Sequence, residues 1–235
     1  MKKYLLLSAV ALATFMTSCC DYSYEEEPNR VFIEGLTVET VAHEYFEESR
    51  WNTPNILSPE VKTDVTKYAD ILELDSTIVK YEDVLANVQK YNTKGDLVIM
   101  MHRIPKFVVV NADGKASCYK DFRNLGNEIV SLDLTNCICA TCVGYITDSY
   151  IALLTPDQRI YNWNTDHLNR CLDFYSLADG TYIGSMKLPK EVCDMWLQDV
   201  HFENGLLEVY YTDALFSEKY TYKFSKDIES LLNKE

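Results

Sequence analysis

Along the chain from Val84 onward, apolar runs of five to seven residues alternate with polar turns, and this rhythm recurs in three segments. The first is "LANVQKYNTKGDLVIMMHRIPKFVVVNADGKASCYKDF". The second is "CVGYITDSYIALLTPDQRIYNWNTDHLNRCLDFYSLADGTYIGSMKL", and the third is "WLQDVHFENGLLEVYYTDALFSEKYTYKFSKD". Each opens with a strand that ends in a polar turn, at Asn92–Gly95, Thr147–Ser149 and Glu203–Gly205. Apolar strands follow at Leu97–Met101, Tyr150–Leu154 and Leu206–Tyr211. Their anchor residues Leu97, Ile151 and Leu206 stand 54 and 55 positions apart. Third strands are predicted at Lys106–Val110, Cys171–Ser176 and Lys219–Phe224. The first two segments then share Ala-Asp-Gly, at Ala112–Gly114 and Ala178–Gly180, a strong hairpin signal. Fourth strands close them at Ala116–Phe122 and Tyr182–Leu188.

Repetition with about four strands per unit points to an all-β, propeller-like array of four-stranded antiparallel sheets. One such sheet cannot bury both faces alone, whereas neighbours stacked around an axis cover one another. Runs such as "DLVIMM" and "FVVVN" suit strands buried on both faces. A sandwich of hairpins is the alternative. Three units are clear, so residues 30–83 must supply further strands. "FIEGLTVETVAHEYFE" and "KYADILELD" either form another blade or complete the last one by edge pairing, giving about four blades or an incomplete ring. In "SPEVKTDV", Ser58 as N-cap and Pro59 predict a short helix. In "SKDIESLLNKE", Ile228, Leu231 and Leu232 share a helical face, which predicts a short terminal helix docked on the sheets.

The units "VVVNADGKASCYKDFRNLGNEI" and "LDFYSLADGTYIGSMKLP" resemble blades of the six-bladed TolB-like propeller lipoproteins. Gly126 and Glu128 stand where that family has its Gly-x-Glu segment, while Asn124-Leu125 occupies positions where the family carries more glycine. The resemblance covers roughly residues 66–226. Six blades would need a longer chain, so it implies a shortened relative.

The N-terminus changes the picture again. Lys2 and Lys3 precede "YLLLSAVALATFM", an apolar run too short for a comfortable membrane span. Met16-Thr17-Ser18-Cys19 follows and resembles the lipobox of bacterial lipoproteins. That resemblance implies a signal peptide over 1–18 and lipid attachment at Cys19. An ordinary signal peptide with an incidental cysteine is the alternative. Asp21, Glu25, Glu26 and Glu27 resemble the acidic tether, here 19–29, of surface-displayed lipoproteins in Bacteroidetes-type bacteria. The implied location is the outer membrane, lipid-anchored, with display at the cell surface as an open alternative. Read physically, the acidic run is a solvated spacer.

The formal charge is -14, and no basic stripe is present, so nucleic acid is not an expected partner. The candidate chemistry is sparse. Cys137, Cys139 and Cys142 in "CICATC" are read as core, with a disulfide or a thiolate metal site as alternatives. His43, His102, His167 and His201 have no mutual ligand spacing. Glu44, Glu47, Glu48, Asp64 and Asp70 are carboxylates without a framework. There is no Gly-x-Ser-x-Gly elbow and no phosphate loop. No catalytic residue, metal or cofactor is assigned. One segment, "TPDQRIYNWNTDHLNRC", lengthens the second repeat, and inserted loops on repeat scaffolds often build the binding face. Arg159, Tyr161, Trp163 and His167 are its candidate ligand-binding residues for a protein, peptide or glycan. The sequence therefore predicts a lipid-anchored envelope binding module. An enzyme of glycan or small-metabolite turnover, or a vestigial propeller fragment, is the alternative.

Overall fold

A computed structural model describes residues 25–26, 29–47, 63–74, 87–101, 104–122, 143–156, 158–159, 170–189, 196–212 and 216–232. Three four-stranded antiparallel sheets dominate, and each carries one sequence repeat. The first is a meander of β3 (Asn87–Tyr91), β4 (Leu97–Met101), β5 (Lys106–Val110) and β6 (Ala116–Lys120). The second contains β7 (Val143–Ile146), β8 (Tyr150–Pro156), β10 (Arg170–Ser176) and β11 (Tyr182–Lys187). The third contains β12 (Trp196–Glu203), β13 (Leu206–Thr212) and β14 (Ser217–Phe224), completed by β2 (Val38–Phe46) from far upstream. Edge pairing, one of the two roles open to the N-terminal strand, is the one it takes. β1 (Glu25–Glu26) and β9 (Gln158–Arg159) form a separate two-residue ladder.

The turn chemistry explains the meanders. The two Ala-Asp-Gly turns close over different spans: Gly114 N–H donates to Asn111 O, three residues back, at 2.8 Å, and Gly180 N–H to Ser176 O, four residues back, at 2.9 Å. Gly180 has φ +71, and a Cβ there would fall 2.0 Å from the ring of Tyr119 in the first sheet. That glycine therefore serves both the turn and the close approach of two sheets.

Stacking of the sheets forms the core, as expected for units that cannot bury both faces alone. Val98, Met100, Phe107 and Val109 of the first sheet pack on Ile151, Leu153 and Tyr175 of the second. The opposite face of the second sheet, with Tyr145, Leu154, Leu172 and Phe174, packs on Val200, Leu207, Val209 and Tyr222 of the third. Gly144 lies in the middle of this stack. A Cβ there would meet the carbonyl oxygen of Ala152 at 2.2 Å and Sδ of Met100 at 3.1 Å.

The outer face of the first sheet is covered by residues 63–74. Val65 and Leu72 of that segment pack on Leu97, Ile99, Met101 and Val108. Its 3-10 turn, Val65–Tyr68, is capped by Asp64, whose carboxylate accepts from Thr66 N–H at 3.0 Å. The predicted cap Ser58 and first-turn Pro59 lie outside the described residues. The terminal helix α1 (Ile228–Leu232) forms as the apolar spacing predicts, with Ile228 buried among residues of the second and third sheets.

Candidate functional site

Residues 30–33, ahead of β2, form a strap along the second sheet. Val31 O accepts from Ser185 N–H at 2.7 Å, and Ile33 N–H donates to Ser185 O at 2.9 Å. Phe32 thereby bridges Ser185 in parallel at the outer edge of β11. Of the acidic segment read as a spacer, Glu25 and Glu26 form β1.

A buried ionic socket holds the strap. The Arg30 side chain is only 3% exposed and that of Asp173 is 0% exposed. Arg30 Nε donates to Asp173 Oδ1 and Nη2 to Oδ2, both at 3.2 Å, a bidentate fork that suits a planar guanidinium. Nη2 also lies 3.1 Å from Thr155 Oγ1, which in turn donates to Asp173 Oδ2. Ser185 Oγ donates to Asp173 Oδ1 at 2.5 Å, and the Tyr182 hydroxyl sits 2.5 Å from Ser185 Oγ. The guanidinium also lies 5.5 Å from the centre of the Phe122 ring, which stacks on Tyr182. Burial pushes the Tyr182 phenol above its ordinary pKa, although hydrogen bonds with Ser185 and Val31 oppose the shift.

A second buried pair joins the first and third sheets. Lys90, on β3, reaches Asp199 Oδ1 at 2.9 Å and Val200 O at 2.5 Å. A register shift between Leu197 and Asp199 accompanies this contact, and bulges commonly re-aim a side chain. At the turns, Asp148 joins the first two sheets by accepting from Thr93 N–H at 2.9 Å and from the Thr93 hydroxyl at 2.5 Å. The Thr93 hydroxyl bond is the main reason its carboxyl is held below the usual range.

The exposed face of the third sheet is polar. Lys219 lies 2.6 Å from Glu44 and 3.2 Å from Glu208. Its hydrogen bond to Glu44 leads the causes that raise its pKa. On the other face, His43 stacks on Tyr220 at 4.2 Å, and its Nε2 is 3.1 Å from Glu218. His201 lies 3.4 Å from Glu203. Cys118 is half-buried and Cys171 is buried, and burial raises the Cys118 thiol. No group of three or more potential metal ligands occurs among the described residues. None of the described helices is long and apolar enough to cross a membrane.

Of the candidate binding residues, Arg159 is placed: it belongs to β9 and pairs in register with Glu25. Tyr161, Trp163 and His167 lie outside the described residues, as do Cys19, Cys137, Cys139, Cys142 and His102. Sequence reasoning passed over Arg30, Lys90, Asp173 and Asp199. The available signal was a lone charge inside an apolar strand, as in "CLDFYS". A buried charge needs a partner, but the pattern does not say where the partner lies.

Scanning protein-family models and searching curated proteins gave no match to this chain.

Proposed function

We propose that this protein is a lipid-anchored binding module of the cell envelope, held at the outer membrane through Cys19. The observation that carries the reading is the strap. Downstream of the lipobox-like Met16–Cys19, Arg30 and the 31–33 backbone are held on the second sheet, and β2 completes the third. An anchor placed there would be joined to the whole array rather than to a loose tail. The resemblance of the repeat units to TolB-like propeller lipoproteins supports the same reading. The ligand is a protein, peptide or glycan met by the insertion that begins at β9, with Arg159, Tyr161, Trp163 and His167 as contacts. Aromatic anchors beside polar groups suit such ligands.

Two measurements test this. Full-length protein and Cys19→Ala are expressed with a labelled fatty acid and fractionated. The unaltered chain is expected to carry the label and sediment with membranes, and the variant to do neither. A variant that still incorporates label shows that Cys19 is not the attachment site. Retention on immobilised envelope glycans and peptides is then compared with that of Trp163→Ala. A loss of about tenfold or more is the hot-spot signature. Unchanged retention removes the insertion as the binding face.

A further inference from the structure

Upstream of the strap, β1 forms its own small ladder with β9. Glu25 pairs with Arg159, and Glu26 with Gln158. Cys19 precedes Glu25 by six positions. An extended chain advances at most about 3.3–3.6 Å per residue, so Cys19 lies within about 22 Å of Glu25 whatever path joins them. A single residue separates the end of β8 from the start of β9. The ladder therefore marks the end of the second sheet where Pro156 faces Arg170. The opposite end carries the turns at 147–149 and 177–181, with the 92–95 turn beside them through Thr93 and Asp148. The two ends are six steps apart along β8, Tyr150 to Pro156, about 20 Å at the rise of a strand.

Further chain cannot be drawn from the strap without removing parts of the fold. Beyond β1, the guanidinium of Arg30 sits buried on Asp173, the 31–33 backbone is bonded to Ser185, and β2 is paired along β14. The reach of the anchor is thus set by the few residues before Glu25.

We propose that the β1–β9 end of the second sheet is the membrane-facing surface of this protein, and that it fits the head-group layer of the bilayer holding its own lipid. This rests on the reading of Cys19 as the lipid-bearing residue. The array then stands on that end, with the turns at 92–95, 111–115, 147–149 and 177–181 directed away from the membrane.

The test uses the full-length lipidated chain in phosphatidylethanolamine–phosphatidylcholine vesicles with a trace of head-group-labelled acceptor lipid. A fluorescent noncanonical amino acid is placed at Gln158 or at Asp179. A second pair, Lys187 and Asp113, repeats the comparison without a label in the β1–β9 ladder. Lys187 is exposed and pairs with Cys171, next to the Pro156–Arg170 end, whereas Asp113 sits in an exposed turn. Energy transfer to the lipid is expected to be severalfold greater from 158 than from 179, and from 187 than from 113. Inserting about twenty Gly and Ser residues between Cys20 and Asp21, a flexible coil, should reduce the transfer from 158 to near that from 179. Equal transfer from both ends of the lipidated chain overturns the orientation and leaves the anchor reading standing. A chain that carries no lipid and does not float with the vesicles overturns the anchor reading and this proposal with it.

Discussion

Arg30 and Asp173 stand 143 positions apart in the chain and meet as a bidentate ion pair at 3.2 Å, both buried. One belongs to the strap and the other to the centre of the second sheet. The carboxylate also takes hydrogen bonds from Ser185 and Thr155, so each of its oxygens has two donors.

Removing one member should therefore cost more than the pair contributes. Arg30→Met takes the guanidinium away from the buried Asp173 carboxylate, which keeps the hydroxyls of Thr155 and Ser185. Such a loss typically costs about 3–5 kcal/mol, whereas replacing both partners by apolar groups is often near neutral. Urea unfolding of Arg30→Met, Asp173→Leu and the double variant checks this. The double variant is expected to be more stable than either single one. Additive losses would mean that the two charges do not compensate each other.

The Lys90–Asp199 pair predicts a different consequence because it spans the first and third sheets. Lys90→Met removes the ammonium from both Asp199 and Val200 O, leaving Asp199 Oδ1 with the Val200 N–H at 2.8 Å. A loss of about 3–5 kcal/mol is again expected. Hydrogen exchange should locate it: amides of β3 and β12 lose protection, while those at the centre of β8 and β10 keep it. Uniform loss across all three sheets would show that the pair does not act between these two.

The strands were legible because their signals are local. Leu97–Met101 and Lys106–Val110 form strands with the predicted bounds, and the others differ by one to two residues at their ends. Asn204 and Gly205 both take positive φ, the local chemistry of a tight hairpin turn. Stacking of sheets also followed from pattern, since runs apolar on both faces demand two neighbours. The number of sheets did not follow. Whether "LTVETVAHEYF" starts a new blade or closes the last depends on pairing with β14, more than 170 positions away, for which no local signal exists. The partners of Arg30 and Lys90 were hidden for the same reason. The candidate binding insertion was visible as extra length, but its register with Glu25 was not, because two charged residues carry no strand pattern.

Gly144 tests the closeness of the stack. It sits inside a strand, where glycine ordinarily weakens structure. Its value here is space, because an added Cβ would fall 2.2 Å from the backbone oxygen of Ala152. Gly144→Ala is expected to destabilise by about 1–3 kcal/mol through forced backbone shifts, despite the better strand propensity of alanine. Thermal unfolding measures it. The exposed turn glycine Gly114 makes the contrast, since a Cβ there meets nothing within 4 Å and only its φ of +81 is strained. Gly144→Ala should exceed Gly114→Ala in cost, and the reverse order would show that the second sheet can spread.

Alkaline pH should loosen the core between the second and third sheets through two tyrosines. Burial pushes Tyr150 up to about 12, with Glu229 and Asp227 adding to the shift, and raises the fully buried Tyr145 well above the ordinary value. Their hydroxyls lie 3.5 Å apart. In the unfolded chain both would lose their protons near pH 10. The folded chain therefore holds more protons above that pH, and stability falls as pH rises. The contribution is fully present below about pH 10 and disappears as pH climbs through about 12, at roughly 1.4 kcal/mol per pH unit for each group. Tyr150→Phe removes one of the two. Between about pH 8 and pH 11 the variant should lose about 1 kcal/mol less stability than the unaltered chain. Unfolding at the two pH values, followed beside tyrosinate absorbance, reads this difference. Equal losses in both proteins would mean that Tyr150 ionises in the folded state as readily as in the unfolded one.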